Sequence, residues 1–254
     1  VNSLLEANHG QILAAAVKEK EDRGFLLDIG MDNLTGFLPF PAHVEIGQPI
    51  FVEVQKTTGT IVRCKLIKNV FFPSKEVEKP HFDNLRPTDI LTAIVTSNSS
   101  NGALACRIAG SFNGYCSKYS WPDGLSVGDT TTVRPIFIDP SQKVIWVTAI
   151  PRIVKGERPH CLDTKIGIKV ETTVSRIRAG VGIECVMPEQ PELRAFISMK
   201  ETKSDVALVA GDKHLIRITE RRAIDDLLLA SDDPDIINLE LFCSEDVTIG
   251  QVVT

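Results

Sequence analysis

The sequence repeats itself at an interval close to 79 residues, and that repetition constrains the fold more than any other feature. A strand-like run, Gly10-Gln11-Ile12-Leu13-Ala14-Ala15-Ala16-Val17, recurs as Thr88-Asp89-Ile90-Leu91-Thr92-Ala93-Ile94-Val95 and as Gly167-Ile168-Lys169-Val170-Glu171-Thr172-Thr173-Val174. A turn glycine follows each run at Gly24, Gly102 and Gly180. Another opens the next short strand at Gly36 and Gly114, where the third copy has Ala195. An apolar-Gly-polar step precedes the fourth strand at Ile46-Gly47-Gln48, Val127-Gly128-Asp129 and Ala210-Gly211-Asp212. The connections repeat as well, with Glu78-Lys79-Pro80-His81 matching Glu157-Arg158-Pro159-His160.

Within each copy the pattern is β. Ile50–Val54 and Ile61–Leu66 are apolar-rich, partly alternating, and joined through Thr57-Thr58-Gly59, as in a hairpin with a glycine-containing loop. Thr132–Ile138 and Val144–Val147 repeat this around Asp139-Pro140-Ser141. In the third copy the equivalents are Leu215–Ile218 and Ile237–Leu241. The longer connection, Arg221 to Asp235, is expected to be an exposed insertion because its five aspartates would be expensive to bury unpaired. Five short strands in about 70 residues, punctuated by glycine, suit a small closed Greek-key barrel. The predicted fold class is therefore all-β, with three tandem five-stranded OB-fold barrels in an extended array. An SH3-like barrel fits the same pattern. The predicted domains are residues 1–72, 83–151 and 164–243, with 244–254 beginning a truncated fourth repeat.

Composition narrows the class of function. The net charge is −5, unlike that of a general polyanion binder. It is unevenly spread: residues 1–82 hold nine Lys/Arg against ten Asp/Glu, residues 83–159 eight against six, and residues 160–254 eleven against seventeen. Only the middle copy leans basic. No apolar run reaches the roughly 20 residues of a membrane-spanning helix, and no membrane partner is expected. The opening Val-Asn-Ser-Leu-Leu-Glu is not a signal peptide, and the missing initiator Met predicts a piece of something longer. The six cysteines are scattered without zinc-ligand spacing and read as reduced, partly buried thiols of cytosol or nucleus.

Copy one carries a family resemblance. Its Gly10-x6-Val17, Gly24-Phe25-Leu26-Leu27-Asp28-Ile29-Gly30, Gly36-Phe37-Leu38-Pro39 and Ile46-Gly47-Gln48 resemble the RNA-binding domain first named from bacterial ribosomal small-subunit protein one, the S-one domain. The wording of these segments, followed by a diverged second copy, resembles the eukaryotic ribosomal RNA-processing protein 5 / programmed cell death protein 11 family. The resemblance implies OB barrels in a long nucleolar scaffold, with precursor ribosomal RNA and ribosome-assembly proteins as partners. It also implies that strands two and three present aromatic rings for base stacking.

This chain departs from that platform. By the resemblance, the first ring position holds Arg23, Asn101 and Ala179. The second holds Leu26, Leu104 and Gly182 or Ile183. The following histidine position holds Pro39, Ser117 and Ser198. The candidate RNA-binding residues are Arg23, Phe25, Phe37, Arg107, Tyr115 and Lys118, with core packing the competing reading for each ring. Binding resting on them would be mostly phosphate attraction, hence weak and salt-sensitive.

Catalytic constellations are missing. His160-Cys161 lacks an oxyanion element, Asp232-Asp233-Pro234-Asp235 lacks the Gly and Glu of an EF-hand loop, and Gly180-Val181-Gly182 lacks a strand-turn-helix context. Trp121-Pro122 reads either as an exposed anchor or as a lid over a barrel end. The expectation is a non-enzyme without metal or cofactor, which contacts precursor ribosomal RNA, processing factors or both. The alternative is a protein-docking or spacer segment with little RNA affinity.

Overall fold

In the computed structural model, described residues run from 7 to 240, leaving out 32, 68–74, 77–79, 88, 100–101, 123, 140–142, 200–201 and 203–207. The fourth-repeat expectation therefore lies outside them, as does Asn101. The described residues form two compact units. One runs to Pro159 and includes Ala223–Asp226, and the other holds His160–Arg222 and the residues from Leu227 onward.

The valines and glycines that mark the repeat meet at one hydrogen bond. Gly47, Gly128 and Gly211 donate their amides to the carbonyls of Val17, Val95 and Val174 at 2.7, 2.9 and 2.8 Å. All three glycines sit at left-handed φ (84°, 96° and 99°), which a side chain would strain. Each valine also stands just before a bulge in its strand, where the extra residue bends the ladder enough to close it.

The first unit begins with β1 (Ile12–Glu21), β2 (Gly24–Asp28), β3 (Thr35–Pro39), β4 (Pro49–Thr58) and β5 (Ile61–Leu66). β1 pairs antiparallel with both β2 and β4, β2 with β3, and β4 with β5, while β3 runs parallel to β5. The circuit thus returns to its start. Its core gathers Leu13, Val17, Leu27, Leu38, Val52 and Val62. Gly24 is needed where β2 crosses β3, because a Cβ there would lie 2.2 Å from the Leu38 carbonyl oxygen.

A two-residue strand, β6 (Lys75–Glu76), leads parallel into β7 (Asp89–Asn98), which is followed by β8 (Leu104–Ile108), β9 (Phe112–Cys116), β10 (Thr130–Asp139) and β11 (Val144–Thr148). These five longer strands repeat the pairings of the first circuit. Leu91, Val95, Ile108, Ile145 and Trp121 fill their core. Trp121 is the lid of the two readings: it is buried and donates its indole N–H to the Gly102 carbonyl at 3.1 Å. The two circuits have their own core clusters but share one sheet. β1 meets β10 at Leu13 and Phe137, so ten strands of two circuits, with β6 at one edge, form one continuous sheet. A short helix, α1 (Pro151–Lys155), ends the unit's main run.

The second unit is a closed barrel of β12 (Lys169–Arg178), β13 (Gly182–Val186), β14 (Arg194–Ser198), β15 (Lys213–Arg222) and β16 (Leu227–Ser231). His160 and Cys161 lie in a single 3-10 turn, not on a strand. The exposed-insertion expectation is overturned here. Leu227–Ser231 is the fifth strand, pairing with β14 and β15, and Leu227 and Leu228 are fully buried. Ile237, the first residue of the expected strand Ile237–Leu241, instead ends helix α2 (Pro234–Ile237).

The aspartates of that segment avoid the burial penalty by pairing. Asp232 contacts His214 Nε2 at 3.0 Å, and Asp233 caps α2 by accepting the Asp235 amide at 3.0 Å. In the first unit, Asp225 accepts the Ser120 hydroxyl proton and Asp226 faces Arg152 at 3.5 Å. A carboxylate so held needs no water, and its neighbouring leucines are free to serve as core.

Candidate nucleic-acid interface

Alternation along β2 and β3 sends Phe25, Leu27 and Leu38 inward and leaves Leu26 and Phe37 on the outer face. Register then sets neighbours across that face. Leu26 lies opposite Phe37, and Phe37 opposite Arg63 of β5. Arg63 in turn lies opposite Lys56 of β4. Phe37 is half-buried, and Arg63 and Lys56 are exposed. A ring therefore stands beside two cations.

The second circuit has the same row with different side chains. Ala105 lies opposite Tyr115, and Tyr115 opposite Trp146 of β11. Tyr115 is 39% exposed, and its ring centroid is 5.6 Å from that of Trp146, with the planes tilted by 34°. Arg107 lies on the next row opposite Asn113, and its Nη1 donates to Asn113 Oδ1 at 3.2 Å and to the Ser111 carbonyl at 3.3 Å. Arg107 and Tyr115 thus share one face.

The corresponding row of the second unit is Glu184, Phe196 and Leu229. Glu184 is 2% and Phe196 1% exposed, and Glu184 is ion-paired to Arg178. This row offers no open platform. Register also corrects the second ring position, which is Leu26, Ala105 and Glu184 rather than Leu104 or Gly182/Ile183 in the later copies.

The remaining candidates are dispersed. Arg23 is exposed in the β1–β2 turn, its carbonyl accepting the Phe40 amide at 3.1 Å. Phe25 is a core residue, 5% exposed, packed edge-on against Phe40, so it is not available for stacking. Lys118 follows β9 and holds its ammonium 4.8 Å above the Tyr119 ring centroid. Sequence reasoning passed over Arg63, Lys56, Trp146 and Phe40. Arg63 was within reach of it, since it sits at the exposed centre of the alternating run Ile61–Leu66.

Thiol chemistry is suppressed near these faces. Burial pushes the Cys64 thiol up to about 12 and Cys106 up to about 11. Among the described residues, no cluster of His, Cys, Asp or Glu is placed to hold a metal ion. No helix among them is long and apolar enough to cross a membrane.

No family model matches the chain. Curated proteins do. The rRNA biogenesis protein RRP5 of Drosophila melanogaster is 24% identical over 277 residues, covering 96% of this chain and 19% of that protein. RRP5 of Arabidopsis thaliana is 25% identical over 270 residues, and rrp5 of Schizosaccharomyces pombe 24% over 273. These matches support the RRP5 family. The chain spans 19%, 14% and 16% of the three RRP5 relatives' lengths. Among solved structures, a multidomain protein with nucleic acid binding domains from Streptococcus pneumoniae covers 88% of the chain and is itself 73% covered, at 15% identity and a TM-score of 0.25. A Drosophila Unr fragment covers 87% and is 95% covered, at 11% identity and a TM-score of 0.23.

Proposed function

We propose that this chain is a non-catalytic segment of an RRP5-type ribosome-biogenesis scaffold working in the nucleolus. In this reading three five-stranded OB-type barrels follow one another, and the outer strand faces of the first two contact precursor ribosomal RNA. The carrying observation is the row of Phe37 beside Arg63 and Lys56, matched by Tyr115 beside Trp146 with Arg107 one row away. A ring offers a stacking surface to any base, and a neighbouring cation attracts a phosphate. The OB barrel presents its strand two and three face to nucleic acids, and these residues occupy that face or its edge.

The second unit supports a different role. Its equivalent row is covered and holds an internal ion pair, and residues 160–254 carry six more acidic than basic side chains. We assign it to ribosome-assembly proteins rather than RNA.

The test is a titration of single-stranded RNA at several salt concentrations against the parent chain and an Arg63→Ala, Arg107→Ala double variant. The parent should bind weakly, with log K falling as log salt rises. The variant's slope should be shallower by roughly 0.7 for each phosphate that is no longer neutralised. An unchanged slope and affinity would show the assignment of the face to be wrong. Undetectable binding by the parent would favour protein docking for the whole segment.

A further inference from the structure

A cleft of about 390 Å³ opens in the first unit away from the strand faces described above. It is lined by the start of β1 (His9, Gln11, Ile12), by the turn before β7 (Phe82, Asp83, Arg86) and by Ile138 at the end of β10. None of Phe37, Arg63, Arg107 and Tyr115 lines it. The volume lies in the range of small-molecule sites, roughly 300–1,000 Å³.

The chemistry of the lining is specific. Phe82 is held edge-on against Phe112, with centroids 5.6 Å apart, which fixes its ring as a wall. Arg86 is anchored through Nη1, which donates to the carbonyls of Leu85 at 2.8 Å and Asp83 at 3.3 Å. Its Nε and Nη2 have no acceptor among the described residues. Gln11 accepts the Asn8 amide at 2.8 Å through Oε1, and its Nε2 likewise has no acceptor among the described residues. Two side chains with N–H donors, Arg86 and Gln11, thus line the cleft together with the apolar Ile12, Leu85 and Ile138 and the fixed ring of Phe82. Asp83 adds one carboxylate, 3.5 Å from His81 Nδ1.

We propose that this cleft binds one nucleotide of a single-stranded RNA, as a second subsite in addition to the strand faces. The base packs against Phe82, its phosphate meets Arg86, and Gln11 donates to a ring acceptor. The Asp83 carboxylate accepts from an exocyclic amino group, so adenine is favoured over uracil, which has none. The inference deepens the RNA-binding reading and rests on it for the polymeric ligand, but the site itself is testable with a mononucleotide.

The experiment uses the full chain, labelled with ¹⁵N, and adds 5′-AMP or 5′-UMP as probes. AMP should shift the amide signals of Gly10, Gln11, Leu85 and Arg86, and UMP, which lacks the amino hydrogen bond to Asp83, should need about tenfold more to do so. Arg86→Gln and Phe82→Leu should each remove the AMP response while the rest of the spectrum reports an intact fold. Lys155→Gln, at an exposed cation of α1 outside both sites, should leave it unchanged. No shift at these amides, or shifts that survive both cleft variants, would overturn the proposal. AMP shifts at the cleft in a chain whose oligonucleotide affinity and salt slope are unchanged by Arg63→Ala and Arg107→Ala would uphold the cleft and sink the strand-face reading alone.

Discussion

Tyr115 on β9 and Trp146 on β11 stand directly opposite one another in parallel strands, their ring centroids 5.6 Å apart. The pair is uneven. Tyr115 is the exposed partner, while Trp146 also packs against the core of the first circuit. One side chain is thus placed to meet a ligand and the other to fix it.

That difference separates two substitutions. Tyr115→Ala should weaken single-stranded RNA binding by about 1–3 kcal/mol while leaving the thermal midpoint nearly unchanged. Trp146→Ala should lower the midpoint itself, because it opens a void beside the first core. RNA titration and thermal unfolding of both variants decide the matter. A Tyr115→Ala protein that binds like the parent would remove the ring from the proposed site.

Leu228, the second residue of β16, is fully buried and lies opposite Ala195. Leu228→Ala should destabilise the second unit by roughly 2–5 kcal/mol. Shortening Arg221–Asp235 to a four-residue turn removes the closing strand and should abolish soluble expression. A shortened chain that stays soluble and keeps its circular dichroism would contradict the pairing of β16.

At Gly24 the obstruction is backbone, since an added Cβ would meet the Leu38 carbonyl oxygen at 2.2 Å. Gly24→Ala should therefore cost about 1–3 kcal/mol through displacement of β2 from β3. Urea unfolding reads this directly, and an unshifted midpoint would mean that the two strands separate freely.

The buried thiols predict an alkaline limit to stability. Cys64 and Cys106 hold their protons to about pH 12 and 11 in the folded chain, against an ordinary thiol value of 9.0. Above pH 9 the unfolded chain releases these protons while the folded chain retains them. Stability is thus fully present below pH 9 and falls as pH rises toward 11–12, by about 1.4 kcal/mol per pH unit for each thiol. A Cys64→Ala, Cys106→Ala double variant should lose stability less steeply between pH 8.5 and 10.5. Equal slopes in urea unfolding across that range would refute the account.

The repeat and the β class were legible in the residues alone. Val17 and Gly47, with their two counterparts, recur because one backbone hydrogen bond and one left-handed turn need them, and local needs of that kind are written in residue type. The alternation of Ile61–Leu66 likewise revealed which side chains face outward. Everything else waited on long-range closure. The strand at Leu227–Ser231 was hidden by its aspartates, which read as solvated until Ser120, Arg152, His214 and the Asp235 amide emerged as their partners. The row of Phe37 with Arg63, and of Tyr115 with Trp146, depends on a parallel pairing of strands more than 20 residues apart in sequence. The cleft between Gln11 and Arg86 likewise joins residues 75 positions apart. Side chains so distant in the chain carry no shared local pattern, and only the closure of the sheet brings them to one surface.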